Sequence, residues 1–146
     1  MARGAEVAID YTSDSWRTEL KRIVPGGIDI VVDTVGGSFS EIAFRHLAPR
    51  GRHLVIGFTA GKIPCLPLNL PLLKRASLVG VNWGGFAQHE PEANAALLSR
   101  LGMMLAKGKL TPRSPKTYSV DQVEIVLNDL KNRRSIGKPV ILLDGL

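Results

Sequence analysis

Two short runs of apolar, largely β-branched residues stand out in the hydrophobic pattern of this chain. They span Ile28 to Asp33 (IDIVVD) and Arg52 to Ile56 (RHLVI), and glycine follows both of them closely. Between them, apolar residues recur at helical spacing after Ser38. Apolar strands separated by a helix are typical of consecutive parallel strands in one sheet. Because Ile28 to Asp33 is apolar on both faces, we expect this strand to lie inside the sheet.

The alternation of strands and helices continues on both sides of this segment. We predict further strands at Glu6–Asp10, Ser77–Asn82 and Lys138–Leu143, with helices at Asp14–Val24, after Pro91 and after Ser119. The helix after Pro91 should bury a stripe formed by Leu97, Leu101, Met104 and Leu105. Ser38 and Ser119 each precede Glu or Gln by three residues, which is the capping-box pattern. This order of elements predicts an α/β fold with a parallel sheet.

Composition favours a soluble, intracellular protein with one ordinary core. The chain has 146 residues, of which 45% are hydrophobic, and a length of this kind allows a sizeable core. It contains no apolar run long enough to cross a bilayer and no secretory signal pattern at Met1. The single Cys65 cannot form an internal disulfide, and it has no Cys or His at metal-ligand spacing. We therefore predict a cytoplasmic protein without a membrane partner.

The net charge of +6 raises the question of nucleic-acid binding. The basic residues are scattered in pairs, most of them at predicted helix ends, where cations suit the helix dipole. Only 5% of the residues are aromatic, and no stripe of alternating basic and aromatic side chains appears. We predict no nucleic-acid partner. A basic chain also favours a phosphate-rich dinucleotide.

Four segments, read in order, carry a family resemblance. They are residues 8–14 (AIDYTSD), 27–37 (GIDIVVDTVGG), 51–64 (GRHLVIGFTAGKIP) and 135–143 (SIGKPVILL), and residues 68–84 fit the same pattern. Together they resemble the C-terminal half of the zinc-independent quinone oxidoreductases, the zeta-crystallin-like branch of the medium-chain dehydrogenase/reductase superfamily.

The resemblance implies a partial doubly wound, Rossmann-like parallel sheet that lacks its first two strands. Residues 1–110 would be part of a dinucleotide-binding domain, and residues 111–146 would be the C-terminal segment of the catalytic domain. The glycine-rich phosphate loop of that family has no counterpart in these residues. In the usual strand order 3-2-1-4-5-6, the strand at Glu6 would then have no neighbour and the strand at Ile28 would have a bare apolar edge.

The resemblance also implies a cofactor site at the carboxyl ends of the strands, where dinucleotides lie in such sheets. Cofactor contacts are expected at Tyr11, Gly37, Gly57, Phe58, Thr59, Ala60, Asn82, Trp83 and Gly84. Tyr11 would approach the 2′-phosphate of NADPH, although a half-buried surface tyrosine is the alternative. The turns that begin at Gly57 and Asn82 would bracket the nicotinamide ring, and packing is an equally good explanation for Trp83. Gly37 lies at a helix start, which favours negative charge.

The sequence offers no catalytic or metal-binding side chain. His46, His53 and His89 are isolated from one another and from any carboxylate at a spacing that suggests a metal site or a triad. We expect Asp33, at a strand end, to bind neighbouring backbone N–H groups rather than to act as an acid. Hydride transfer needs no such residue, because the nicotinamide carries the chemistry.

The resemblance therefore implies an oxidoreductase that transfers hydride from NADPH to a small-molecule quinone or enone, in a homodimer or a higher oligomer. Two other classes of function stay open. One is a non-catalytic truncated paralogue or interaction module that keeps the sheet. The other is a different α/β nucleotide-fold enzyme, such as a methyltransferase, which would need a cofactor loop of its own.

Overall fold

The computed structural model describes residues 4–143. Between His89 and Glu90 the chain divides into two compact units. The elements of the first unit are α1 (Trp16–Ile23), β1 (Ile28–Asp33), α2 (Ser38–Arg45), β2 (Leu47–Val55), α3 (Asn69–Lys74), β3 (Ser77–Gly80) and α4 (Trp83–His89). Those of the second are α5 (Pro91–Ala106), β4 (Lys116–Ser119), one 3-10 turn (Val120–Gln122), α6 (Val123–Lys131) and β5 (Pro139–Leu142). The boundary near residue 110, which we predicted between a dinucleotide-binding domain and a catalytic domain, stays a prediction.

The first unit is built on a parallel sheet with the strand order β1-β2-β3. Its helices α2 and α3 connect consecutive parallel strands, as the apolar runs and the spacing between them predict. The second unit holds a smaller parallel pair, β4 and β5, joined through α6. These features confirm an α/β fold with a partial doubly wound sheet. The strand β4 was not predicted, because four residues of sequence KTYS carry too little apolar alternation.

The strand β2 begins five residues earlier than predicted. Ile28 pairs with Leu47 and Ile30 pairs with Arg52, so that residues 48–51 lie opposite a single residue of β1. Arg50 has a left-handed φ of 69°, which lets the chain bulge and rejoin the ladder. The strand predicted from Arg52 was therefore too short, because the ladder continues on both sides of the bulge.

The predicted strand at Glu6–Asp10 is wrong. No strand forms there, and within residues 4–143 the sheet runs only from β1 to β3, so no neighbour supplies a ladder. At the end of this segment the Asp10 carboxylate accepts hydrogen bonds from the backbone N–H and the hydroxyl of Thr12, at 2.9 and 2.6 Å. This local turn leads the chain past Tyr11 into α1.

One of the two predicted capping boxes is present. Ser119 and Gln122 form the reciprocal box at the start of the 3-10 turn. The box at Ser38 is wrong, because α2 begins at Ser38 itself and its N-cap is Gly37. Glu41 does not reach back to the helix start but pairs with Arg45, one turn later, at 2.7 Å.

The core is much smaller than the composition predicts. Phe44, Leu47 and Leu70 form the buried cluster of the first unit, with Val31, Leu66 and Ala76 packed around it in part. In the second unit, among the described residues, Val126 is the buried hydrophobic residue. The apolar stripe of α5 is not buried as expected: Leu97, Leu101 and Leu105 are exposed and Met104 is half-buried.

The edge strands leave apolar side chains in solvent. Within the described residues β1 is an edge strand rather than an interior one, and Val32 on it is 62% exposed. On the other edge, every residue of β3 is exposed. Open, apolar edges present unpaired backbone groups on which another chain can add a strand.

We expect this 146-residue chain, produced alone, to be oligomeric or poorly soluble. Light scattering coupled to size-exclusion chromatography measures this directly. Lysine on an edge strand opposes such pairing, so Val32→Lys should lower the average mass. Thr18→Lys, which adds the same charge on the exposed surface of α1, should not. A monodisperse monomer of the unmodified chain would contradict the edge argument.

Candidate functional site

Three turns meet at the carboxyl edge of the first sheet. The register places Asp33 beside Val55 and Val55 beside Gly80, so the three strands end at the same level. Backbone bonds continue this alignment past the strand ends, from Ile56 N–H to the Asp33 carbonyl and from Val81 N–H to the Val55 carbonyl, both at 2.9 Å. The turns that begin at Thr34, Gly57 and Asn82 therefore lie next to one another, at the edge where ligands bind in sheets of this kind.

The first two of these turns are joined by backbone hydrogen bonds. Thr59 N–H donates to the Thr34 carbonyl at 3.2 Å, and Ala60 N–H donates to the Val35 carbonyl at 2.9 Å. In the opposite direction, Gly37 N–H donates to the Lys62 carbonyl at 3.0 Å. Because these bonds fix each turn to the other, residues 34–37 and 57–62 act as one structural piece, which we call the paired turns.

Glycine is required at two positions of the paired turns. Gly36 and Gly37 have φ values of 72° and 64°, which side-chain-bearing residues rarely adopt. A Cβ atom on Gly36 would also lie 2.8 Å from the ring of Phe58. Gly57 differs: a Cβ there would meet its nearest neighbour, the Thr34 carbonyl oxygen, at an ordinary 3.5 Å. The backbone at Gly57 is therefore open to close approach by a ligand and also tolerates substitution.

The Asp33 carboxylate organises the start of the paired turns. It is 9% exposed and accepts four hydrogen bonds. One oxygen, Oδ1, accepts from the backbone N–H groups of Val35 and Gly36, both at 2.9 Å. The other, Oδ2, accepts from Ser40 Oγ at 2.5 Å and interacts with His53 Nε2 at 3.0 Å. The expectation that Asp33 binds backbone N–H groups is confirmed.

These hydrogen bonds decide the charge state of Asp33. Burial by itself raises the pKa of the carboxyl, but the bonds from Gly36, Ser40, Val35 and His53 outweigh burial and lower the pKa below its ordinary value of 3.8. Asp33 is therefore an ionised, internally satisfied anion, which is not the state of a general acid at neutral pH.

Asp33 also changes the argument for an anion site at the start of α2. Its carboxylate takes the N–H groups of Val35 and Gly36, and the Lys62 carbonyl takes that of Gly37. These three N–H groups precede α2 and are engaged inside the protein, so they are not free to bind a ligand anion. What Gly37 offers a cofactor is close approach of the backbone, and that contact stays a prediction.

His53 meets a carboxylate in the structure, which its spacing in the sequence does not indicate. His53 lies in the middle of β2, is 1% exposed, and stacks obliquely on Phe44 with ring centroids 5.9 Å apart. Its partner Asp33 is twenty residues away in sequence, so only strand pairing brings the two together. Its Nδ1 atom is buried and has no hydrogen-bond partner. A histidine in the centre of an apolar strand is the feature of the sequence that could have predicted a buried polar partner.

His46, in contrast, bonds through Nδ1 to the Ile42 carbonyl of its own helix at 2.8 Å.

The third turn is shorter than expected because a helix begins within it. Trp83 and Gly84 belong to α4, and the Asn82 side-chain oxygen accepts a hydrogen bond from Gly85 N–H at 3.0 Å. Asn82 therefore acts as the N-cap of α4, and this cap leaves its side-chain NH₂ group available as a donor. Trp83 is 57% exposed at the same edge. The cofactor contacts of Asn82, Trp83 and Gly84 stay predictions.

Tyr11 lies beside β1, at a depression of about 190 Å³. Its ring packs edge to face on Phe39 with ring centroids 4.9 Å apart. The Trp16 ring also packs on Phe39, with centroids 6.1 Å apart. Tyr11 is 44% exposed. The position therefore suits both expectations, a packed surface tyrosine and a hydroxyl that faces a ligand.

A larger cavity of about 500 Å³ adjoins the paired turns within the first unit. Its lining is mostly apolar and includes Phe44, Val55, Phe58 and Leu78, and Asp33 and His53 supply polar groups. The size and the lining of this cavity are those of small-molecule sites in general.

In residues 4–143 no group of three or more His, Cys, Asp or Glu side chains could hold a metal ion. Over the same range, no helix has the length and apolar character that spanning a membrane requires.

Comparison with known proteins places the chain in a family. The sequence family described as zinc-binding dehydrogenase matches residues 3–141. The chain belongs to this family. Quinone oxidoreductase-like protein 2 of Bos taurus is 31% identical to it over 144 residues, which are 98% of this chain and 41% of that protein. The resemblance to quinone oxidoreductases of the medium-chain superfamily is thereby confirmed.

Solved structures share the fold of this dehydrogenase-family chain. A quinone oxidoreductase of Pseudomonas syringae superposes with a TM-score of 0.81 at 22% identity, covering 97% of this chain and 44% of that one. A mycobacterial protein solved in complex with NADPH gives a TM-score of 0.81 at 22% identity, covering 96% of this chain and 43% of that one. The chain thus spans about two fifths of the length of the proteins that it matches.

We expect Asp33→Asn to destabilise the first unit by about 2–4 kcal/mol, because an amide cannot accept all four hydrogen bonds. Urea denaturation measures the change in the free energy of unfolding. Asp29→Asn is the matched control, since Asp29 is exposed on the same strand.

The same carboxylate predicts a pH dependence of stability. Because folding lowers the pKa of Asp33, its contribution to the free energy of unfolding is complete above pH 3.8. This contribution is lost as the pH falls below that value towards the pKa of the folded state. Equal acid sensitivity in Asp33→Asn and the unmodified protein would contradict this account.

Proposed function

We propose that this chain supplies the nicotinamide-binding edge of an NADPH-dependent oxidoreductase, which transfers hydride to a quinone or an enone. The observation that carries the proposal is the alignment of three turns at one carboxyl edge, in a chain of the zinc-binding dehydrogenase family. Dinucleotide cofactors lie across that edge in doubly wound sheets.

The residues at this edge fit a nicotinamide ring. Gly57 leaves its backbone open on the ligand side, and Gly37 adds a second surface without a side chain. In this proposal the NH₂ group of Asn82, which the helix cap does not use, donates to a carboxamide oxygen, and Trp83 presents an exposed aromatic surface beside it. When bound, the nicotinamide supplies the hydride chemistry. The protein holds the ring in orientation and excludes water from it.

The chain lacks the glycine-rich loop that holds the pyrophosphate in such folds. We therefore expect the chain alone to bind NADPH more weakly than a micromolar dissociation constant, which corresponds to about −8 kcal/mol. In the complete enzyme, residues 111–146 would belong to the catalytic domain. We further propose a cytoplasmic, zinc-independent homodimer or higher oligomer whose partner is a small molecule, with neither nucleic acid nor membrane as a partner.

A second candidate function is a non-catalytic interaction module. Exposed apolar residues on the edge strands and on α5 favour it. Contact with the nicotinamide part of NADPH distinguishes the two candidates, because an interaction module has no need of it.

Gly57→Val tests the paired turns as a nicotinamide site. Branched carbons at this position would occupy the space proposed for the ring, while the open backbone lets the variant fold. Saturation-transfer NMR of the chain with millimolar NADPH should show signal on the nicotinamide protons, and Gly57→Val should remove most of it. Gly26→Val is the control, since Gly26 also has open space and precedes β1 at the opposite edge. Equal nicotinamide signals in both folded variants would exclude this turn from the site.

Tyr11→Ala tests recognition of the 2′-phosphate. A phenol that donates to this phosphate contributes roughly 1 kcal/mol or more, so the substitution should weaken NADPH about fivefold relative to NADH. Tyr11→Phe keeps the ring on Phe39 and removes only the hydroxyl, and it should lose the same preference. Competition experiments with the two cofactors provide the ratio. If both cofactors lose affinity equally, Tyr11 is a packing residue.

A further inference from the structure

The cluster of Asp33, Ser40 and His53 links three separate elements of the first unit. Asp33 ends β1, Ser40 lies in the first turn of α2, and His53 lies in the middle of β2. All three side chains are buried. The proposed function uses none of them directly, yet the same carboxylate holds the turn that begins at Thr34.

Hydrogen-bond chemistry fixes the direction of each bond in this cluster. An ionised carboxylate only accepts, so Ser40 Oγ donates and His53 Nε2 must carry a proton. Two donors on Oδ2 hold the plane of the carboxylate between α2 and β2. The other oxygen is then aimed at the N–H groups of Val35 and Gly36.

The orientation of the carboxylate therefore sets the conformation of the turn. Val35 and Gly36 are held through their N–H groups, and Gly36 and Gly37 keep the positive φ values on which the paired turns depend. Without the two donors on Oδ2, Asp33 could rotate about its side-chain torsions and release these N–H groups.

We infer that His53 and Ser40 are positioning residues for the cofactor: acting through Asp33, they hold the Thr34–Gly37 turn in the conformation that meets the nicotinamide side. This inference rests on the proposed function for its ligand and on the hydrogen bonds for its geometry. Both side chains are buried, so in this proposal they act through Asp33 and not by contact with the cofactor.

The competing explanation is that His53 only fills the core. It is fully buried against Phe44, and removing it would then loosen the whole Phe44–Leu47–Leu70 cluster. The two explanations differ in where the structure loosens. Positioning predicts a change confined to the turn and the start of α2, whereas core filling predicts a change throughout the sheet.

Hydrogen exchange of the full chain, read by mass spectrometry, separates the two. His53→Leu should accelerate exchange at Val35 and Gly36 by about tenfold or more, since a hydrogen bond to a charged group is lost. Gln and Asn provide a matched pair, because the Gln amide nitrogen reaches the position of Nε2 and the Asn amide nitrogen that of Nδ1. His53→Gln should restore slow exchange, and His53→Asn should not. His46→Leu is the control for losing a histidine, and it should leave the turn unchanged.

Unchanged exchange at Val35 and Gly36 in folded His53→Leu would overturn the inference, as would equal acceleration in β3. If His53→Leu does not fold, Ser40→Ala removes the other donor on Oδ2 and is read in the same way. Saturation transfer to the nicotinamide protons is then compared in the same variants. Faster exchange in the turn without a loss of nicotinamide signal would overturn the cofactor role of the turn. Normal exchange with an unchanged signal would leave the proposed site intact and remove His53 from it. Normal exchange with a lost signal would also overturn the inference, because His53 would then affect binding by a route other than the turn.

Discussion

The buried Asp33 carboxylate is the interaction on which the site depends. It accepts hydrogen bonds from a strand-following turn, from a helix and from the neighbouring strand, and these bonds keep it ionised despite its burial. Burying a charge costs free energy unless the charge is fully paired, so the loss of any one donor to this carboxylate would destabilise the fold. These bonds also hold the conformation of the paired turns, because two of the four donors are the backbone N–H groups of Val35 and Gly36.

The same arrangement determines how the carboxyl edge can bind a ligand. The Asp33 carboxylate and the Lys62 carbonyl already engage the N–H groups of Val35, Gly36 and Gly37, in the turn that precedes α2. The edge therefore offers glycine backbone, an aromatic surface at Trp83 and the NH₂ group of Asn82. These features suit a flat, uncharged ring better than a phosphate group, which agrees with a site for the nicotinamide end of a dinucleotide rather than for its pyrophosphate.

The energetics of the rest of the chain are dominated by apolar surface that stays in water. The buried cluster around Phe44 is small for a chain of this composition, while both sheet edges and the stripe of α5 expose large hydrophobic side chains. Exposed apolar area of this extent usually marks a surface that another protein segment covers. It also explains why local patterns can be correct in type, as for α5, and wrong in burial: helical spacing records which residues share a face, and it says nothing of what packs on that face.

The sequence by itself determined the order of the main strands and helices, the parallel sheet, the family and the internal binding of Asp33. Those follow from local runs, helical spacing and glycine positions, which act over a few residues. Only the tertiary structure decided that His53 is the partner of Asp33, that Asn82 caps a helix, and that Glu6–Asp10 forms no strand. Each of these depends on a part of the chain outside the local sequence. His53 meets Asp33 only through strand pairing, and Asn82 caps a helix whose start depends on where β3 ends. Glu6–Asp10 would need a neighbouring strand to form a ladder.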